Sequence, residues 1–315
     1  MEHLVHSDDV PFERQEVEGS DIDALWQDLG RAARSRWIGL NRLRFEVGKR
    51  PTPAHDHGAE EEIFFVLSGS GLSWRAGETH EVRAGDYLGY LPGRGAHTLV
   101  AVGEAMDVLA FGERRPVELC HLPRAGVLWT GPTWANDAVS AGHPFEREAK
   151  AGKLPLPPAS PRPGWIAHRD DVEELAVERP GRSYRSRRVG VALGMHTSGM
   201  RHMTIAPGKH GYPSHCHSSE EELFVVVAGA GTARVGDEEA EVRAGHVLSR
   251  PAGTTLAHSF RAGPEGLEYL AYGQRQDNDI VFYPDSGKIS FAGVGVIGRL
   301  QQLDYWDGED LPGEP

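Results

Sequence analysis

At 315 residues, 39% hydrophobic and 25% charged with 39 glycines and 21 prolines, the chain suits two folded domains of short strands and many turns better than a helical bundle. A net charge of −13 argues against nucleic acid and anionic membranes as partners, and no stretch approaches the roughly 18 apolar residues of a membrane span. Cys120 and Cys216 are the only cysteines, which excludes a disulfide framework and a cysteine-rich zinc module, so any metal must be held by histidine and carboxylate.

The N-terminal MEHLVHSDDV lacks a signal-peptide apolar core, and a soluble cytoplasmic protein is expected. Ile22 to Leu29 reads as a short helix or an added strand. From Gly48 the segment GKRPTPAHDHGAEEEIFFVLSGSG follows, and it returns at Gly208 as GKHGYPSHCHSSEEELFVVVAGAG. The offset of 160 holds from Gly39/Gly199 to Gly85/Gly245, and it becomes 161 where Leu109-Ala110-Phe111-Gly112 meets Leu270-Ala271-Tyr272-Gly273. A unit of this length is a duplicated domain rather than a solenoid repeat. Within each copy, β-branched and aromatic runs such as Ile63 to Leu67 and Leu223 to Val227 end at Gly69 and Gly229. Turn signals then recur at Ala84-Gly85, Pro92-Gly93, Ala244-Gly245 and Pro251-Ala252-Gly253, the spacing of a β-sandwich or barrel.

These boundaries give an N-terminal domain over 1–130, a proline-rich linker over 131–182 and a C-terminal domain over 183–315. The prolines from Leu154 to Pro163 predict an extended, semi-rigid spacer. The run Arg182, Arg185, Arg187, Arg188 reads as a solvated edge, since no glycine-rich loop accompanies it. The tail from Asp304 to Pro315 is acidic and is expected to be poorly ordered at its end.

The chemistry lies in the histidines. His55, His57 and Glu62 have the spacing H-x-H-x4-E, with His97 beyond Pro92-Gly93; His215, His217, Glu222 and His258 repeat it. Composition alone gives such a triplet at roughly one start in several thousand. Residues i and i+2 project from one face of a strand, so each pair aims two imidazoles into one space. The next strand brings the glutamate and a strand across the barrel brings the last histidine. Three imidazoles and a carboxylate suit Fe, Mn, Ni or Zn, up to two ions per chain. On an octahedral ion they leave two positions for substrate oxygens, water or dioxygen.

His55-x-His57-x4-Glu62-x6-Gly69 and Gly85 to Pro92 to His97, with their second copies, resemble the two signature motifs of the cupin superfamily over rather more than half the chain. The second motif departs from that pattern by one residue before Pro92 and two between Gly253 and His258. The resemblance implies an all-β protein: two double-stranded β-helix (jelly-roll) barrels with the metal inside, joined by the proline-rich linker. The linked copies look like bicupins, a group that includes oxalate decarboxylases, flavonol dioxygenases and gentisate-type dioxygenases. Oxalate decarboxylases place an arginine where this chain has Thr52 and Tyr212, and gentisate-type enzymes lack the glutamate that both copies keep. The whole chain looks most like bacterial two-cupin proteins without an assigned activity.

A metal-dependent enzyme on a small oxygenated metabolite, an oxidoreductase of the dioxygenase kind, is therefore expected. A non-catalytic binding or sensing protein is the alternative, and a homo-oligomer is compatible with either. The expected catalytic residues are Glu222, Tyr212 at the metal mouth and His202 on the preceding strand. Cys216 should face away from the metal. Glu60, Glu61, Glu220 and Glu221 read as loop carboxylates. Phe64, Val66, Phe224, Val226 and Phe260 should wall the pockets, and Arg234 in place of Trp74 should make the second pocket the more polar.

Overall fold

The computed structural model describes residues 1–131, 133–136 and 143–309. Two barrels follow the repeat. The first is an eight-stranded sheet in the order Ile166–His168, Asp86–Tyr90, Glu62–Arg75, His97–Glu113, Ile38–Phe45, Asp23–Asp28 and Glu13–Glu16, with Glu78–Arg83 beside Glu62–Arg75. The second runs Leu4–His6, His246–Arg250, Glu222–Val235, His258–Gln274, Ser198–Ile205, Arg182–Arg187 and Glu174–Arg179, with Glu238–Arg243 beside Glu222–Val235. The pairings within both sheets are antiparallel. The undecided segment is a strand, Asp23–Asp28, followed by a one-turn helix, Leu29–Ala32, whose N-cap Asp28 accepts from the Arg31 amide.

The barrels exchange their outermost strands. Leu4–His6 precedes the first barrel in the chain yet pairs with His246–Arg250 of the second, and Ile166–His168 precedes the second yet pairs with Asp86–Tyr90 of the first. The described part of 131–182 is thus shared out, since Glu174–Arg179 also pairs with Arg182–Arg187. The prolines between them run extended along the first barrel, where Trp74 Nε1 donates to Pro155 O at 3.0 Å and Thr79 Oγ1 to Pro157 O at 2.8 Å. The acidic tail is described only as far as Glu309, so the order of its end lies outside the described residues.

A shared core joins the barrels: Leu40, Ile63, Phe65, Tyr87 and Phe111 pack with Met200, Leu223, Val225, Leu270 and Tyr272. Two carboxylates lock it reciprocally. Glu61 accepts from His196 N (2.8 Å), Ser198 N (2.9 Å) and Ser198 Oγ (2.8 Å), while Glu221 accepts from Arg36 N (3.0 Å), Trp37 N (2.5 Å) and Ser249 Oγ (3.1 Å). Both are buried, so the expected loop carboxylates at 61 and 221 are inter-barrel fasteners. Each barrel's own core sits at its other end, with Leu43, Phe45, Phe64 and Val66 in the first and Met203, Ile205, Phe224 and Phe260 in the second.

The glycine seven residues after each glutamate is required by geometry. Gly69 and Gly229 have φ of 88° and 71°, and an added Cβ would lie 2.0 Å from Ala105 O and 2.3 Å from Gly266 O. They let two long bent strands cross in contact. Among the described residues no helix is long and apolar enough to cross a membrane.

Candidate metal centres

In each barrel the histidine pair sits at the start of a short strand facing the barrel interior, and the chain pairs its first histidine with the last one: His55 with His97 and His215 with His258. The glutamate opens the next long strand. Three imidazole Nε2 atoms therefore converge on one carboxylate oxygen. Glu62 Oε2 lies 3.7, 3.4 and 2.9 Å from His55, His57 and His97. Glu222 Oε2 lies 3.9, 3.4 and 3.0 Å from His215, His217 and His258. His57 Nε2, His217 Nε2, His258 Nε2 and Glu222 Oε2 are buried without a hydrogen-bond partner among the described residues. Orphaned buried donors and acceptors of this kind are costly unless something else satisfies them. A divalent cation at the centre of each quartet fits that need and the chemistry of the donor set.

The outer faces of the imidazoles are fixed. His55 Nδ1 and His215 Nδ1 lie 2.9 and 2.8 Å from the Pro53 and Pro213 carbonyls. His57 Nδ1 lies 3.2 Å from Glu118 Oε1, and His217 Nδ1 lies 2.7 Å from Asp279 Oδ2. Donation from Nδ1 leaves the Nε2 lone pair free for a metal, the usual outer arrangement around ligating histidines. Glu118 and Asp279 occupy matching positions at the 161-residue offset, and the sequence reading missed both. That shared acidic residue beyond the last motif was the signal available.

Electrostatics follows from burial and from these pairings. Burial opposes the charged form of His57, but Glu62 and Glu118 outweigh it and raise the imidazole to about 11; the same opposition lifts His217 to about 9. Burial pushes His97 and His215 down to about 4. It would also raise Glu62 and Glu222, yet the surrounding imidazoles hold both well below the carboxylate range. Glu60 and Glu220 are pushed up to about 7 by burial. Their Oε1 atoms accept from Arg115 N and Gln276 N, and their Oε2 atoms lie 3.8 Å from His57 and His217 Nδ1.

A cavity of about 380 Å³ reaches the second quartet, lined by His215, His217, His258, Glu222, Glu220, Phe224, Phe260, Tyr212 and Tyr283 among others. Tyr212 lies on its wall as expected, its hydroxyl donating to Ser186 Oγ at 3.4 Å. Tyr283 stacks on His215 at 5.8 Å and 26°. His202 is elsewhere. The pleat sends Arg201 and Met203 inward and His202 toward the first barrel, where the Tyr87 hydroxyl donates to its Nδ1 and its Nε2 donates to Glu268 Oε1 at 2.6 Å. Arg234 also points away from the cavity, bonding Gly236 O at 2.9 Å, and Trp74 is buried under the linker with Leu154. The Cys216 thiol is buried against Phe282 O at 3.9 Å, and burial raises its pKa. Beside Glu62 the first barrel has Tyr90, stacked on His97 at 3.7 Å; beside Glu222 the second has Arg250.

The cupin domain model matches residues 41–111 and again 201–271. No curated protein sequence matches the chain. Among solved structures, the chain is similar to the oxalate decarboxylase of Lactobacillus farciminis in its formate complex, with 15% identity, TM-score 0.55 and coverage of 86% of each chain. It is similar also to a single-substitution mutant of Bacillus subtilis oxalate decarboxylase, with 15% identity, TM-score 0.56 and coverage of 85% of this chain and 76% of that one. A further Bacillus subtilis oxalate decarboxylase structure, from work on its Mn(II) centres, gives 14% identity, TM-score 0.55 and coverage of 88% and 78%. At these identities the likeness concerns the fold, and the two domain matches put one cupin domain in each barrel.

Proposed function

We propose that this bicupin is a metal-dependent enzyme whose chemistry takes place in the second barrel, on a small oxygenated metabolite, as an oxidoreductase of the dioxygenase kind. The observation that carries the reading is the cavity of about 380 Å³ that ends on a complete His/Glu quartet, within the size range of small-molecule sites, about 300–1,000 Å³. His215, His217, His258 and Glu222 would hold the ion, and a divalent metal there supplies Lewis acidity toward substrate oxygens. The chain's residues do the rest. Phe224 and Phe260 form the apolar wall that limits water, and Tyr212 and Tyr283 give the substrate flat surfaces to lie against. Glu222 is the carboxylate nearest the reacting centre. Glu220, half-buried on the same cavity wall with its carboxyl pushed up by burial, is placed to accept and return a proton there. His202, turned toward the other barrel, has a positioning role at most.

The test is oxygen uptake by the metal-loaded protein on a panel of enediols, catechols and hydroxy acids. Glu222→Gln is expected to abolish turnover and Glu62→Gln to leave most of it, with metal content checked in both. The reverse ranking would move the chemistry to the first barrel. Ligand binding without turnover of any kind would favour a non-catalytic binding protein.

A further inference from the structure

The two barrels differ most at the mouth of the cavity. In the second, Arg188, Arg201, Arg275 and Lys288 all line it. At the matching positions the first barrel has Asp28, Asn41, Arg114 and Val127. There the one arginine is neutralised: Arg114 Nη2 reaches Asp28 Oδ1 at 3.3 Å and its Nη1 donates to Ser35 O at 3.0 Å. In the second barrel the partner of Arg114's counterpart is itself an arginine. Among the described residues none of the four cations makes an ion pair or a side-chain hydrogen bond to a carboxylate. Arg201 lies over the Tyr212 ring at 5.9 Å and Lys288 Nζ over Tyr283 at 4.8 Å. Burial, then the charges of Arg201 and Arg188, depress Arg275 below the usual arginine value, with Glu220 and Glu61 opposing more weakly.

The contrast extends to the arginine run noted in the sequence. Arg187 and Arg185 pair with Glu174 at 2.6 and 3.5 Å, and Arg182 donates to Gly211 O at 2.6 Å. Arg188 alone turns to the cavity. Among the described residues four cations line one cavity without an ion pair of their own, with Glu220 and Glu222 the carboxylates on the same lining; their like charges repel one another at short range, and a bound anion relieves it.

We propose that this cationic mouth is an anion site that grips the distal carboxylate or phosphate of a small dianionic metabolite, whose other end reaches the His215/His217/His258/Glu222 quartet. The inference rests on reading the second barrel as the substrate pocket, and it adds the substrate's charge and the residues that select for it. Arg201 and Arg275 present planar forks suited to two-point contact with an oxyanion, and Arg188 and Lys288 add charge at the rim. A neutral enediol or catechol would leave them uncompensated.

The test uses inorganic phosphate and the full-length chain, both as purified and after chelator treatment, at constant ionic strength so that screening does not vary. Thermal unfolding is expected to shift up by about 3 °C at a phosphate concentration about tenfold above its dissociation constant. In Arg201→Gln/Arg275→Gln the dissociation constant should rise about tenfold or more. The variant itself should melt no lower than wild type at low salt, because no ion pair is lost. Arg114→Gln should melt lower and respond to phosphate as wild type does. Should the double variant fold poorly, Arg188→Gln supplies the same comparison with one exposed residue changed. No phosphate response in wild type, or an undiminished response in the arginine variants, would overturn the proposal. A response seen only with metal bound and untouched by the arginine changes would assign phosphate to the ion, which refutes the mouth and leaves the metal reading standing. The converse, a chelator-insensitive response in a protein that binds no metal, would refute the enzyme reading alone.

Discussion

Asp279→Asn removes one atom's charge and leaves the shape, and its effect can be worked from four contacts. Asp279 Oδ1 lies 3.0 Å from Ser219 N, 3.3 Å from Glu220 N and 3.3 Å from Ser218 Oγ, while Oδ2 takes the His217 Nδ1 proton at 2.7 Å. The backbone donors hold the amide oxygen of an asparagine at Oδ1. Its NH₂ then faces His217 Nδ1, which must accept instead of donate. The imidazole proton moves to Nε2, where the quartet needs a lone pair. Loss of such an outer partner costs about 10–100-fold in metal affinity, or about 1.4–2.7 kcal/mol. The assay is chelator competition in a His55→Ala/His57→Ala background, which isolates the second site, with thermal unfolding to show that the barrel is intact. Affinity within about twofold of the parent would refute the tautomer argument.

Further outcomes follow from the same geometry. Glu221→Ala strips an acceptor from two backbone amides and the Ser249 hydroxyl in a buried inter-barrel contact; at about 1–3 kcal/mol for each buried group left unpaired, a loss of about 3–5 kcal/mol is expected in denaturant unfolding. Glu61→Ala should behave alike, and a change under about 1 kcal/mol in both would show that the carboxylates do not fasten the barrels. Metal binding should release protons. A histidine whose pKa is raised holds its proton until pH passes that value, so near pH 7 both His57 at about 11 and His217 at about 9 must each lose one, while near pH 10 only the first site does. Calorimetry in buffers of different ionisation enthalpy reads this, and equal release by both sites near pH 10 would contradict it. Cys216→Ala should keep metal affinity within several-fold and cost about 1 kcal/mol or less; a loss comparable to a histidine change would place the thiol among the ligands.

The barrels and quartets were legible because strand parity and a gapless repeat are local properties. His55 and His57 share a face by spacing alone, and Gly69 and Gly229 mark where long strands cross. What depends on contact between the copies was not legible. Glu61 and Glu221 read as loop residues beside a ligand because their partners, Ser198 and Trp37, lie more than a hundred residues away. The exchanged strands hid in a terminus and a linker for the same reason. His202 was misplaced by one step of the pleat, and Arg234 by treating a barrel's outer strand face as its inner one. Glu118 and Asp279 follow the last motif by some twenty residues, outside any spacing rule, and only the fold returns them to His57 and His217. The cationic mouth needed both kinds of information: Arg188, Arg201, Arg275 and Lys288 are scattered in sequence, and only their shared cavity and the pairing of Arg114 with Asp28 in the other barrel give them meaning.

Each barrel is expected to hold one metal ion on three histidines and one glutamate. Elemental analysis of the purified protein beside His55→Ala/His57→Ala and His215→Ala/His217→Ala tests it directly. The quartets predict two equivalents of divalent transition metal in the parent and one in each variant, the remaining ion belonging to the untouched barrel. Full metal content in either variant, or none in the parent after loading, would contradict it.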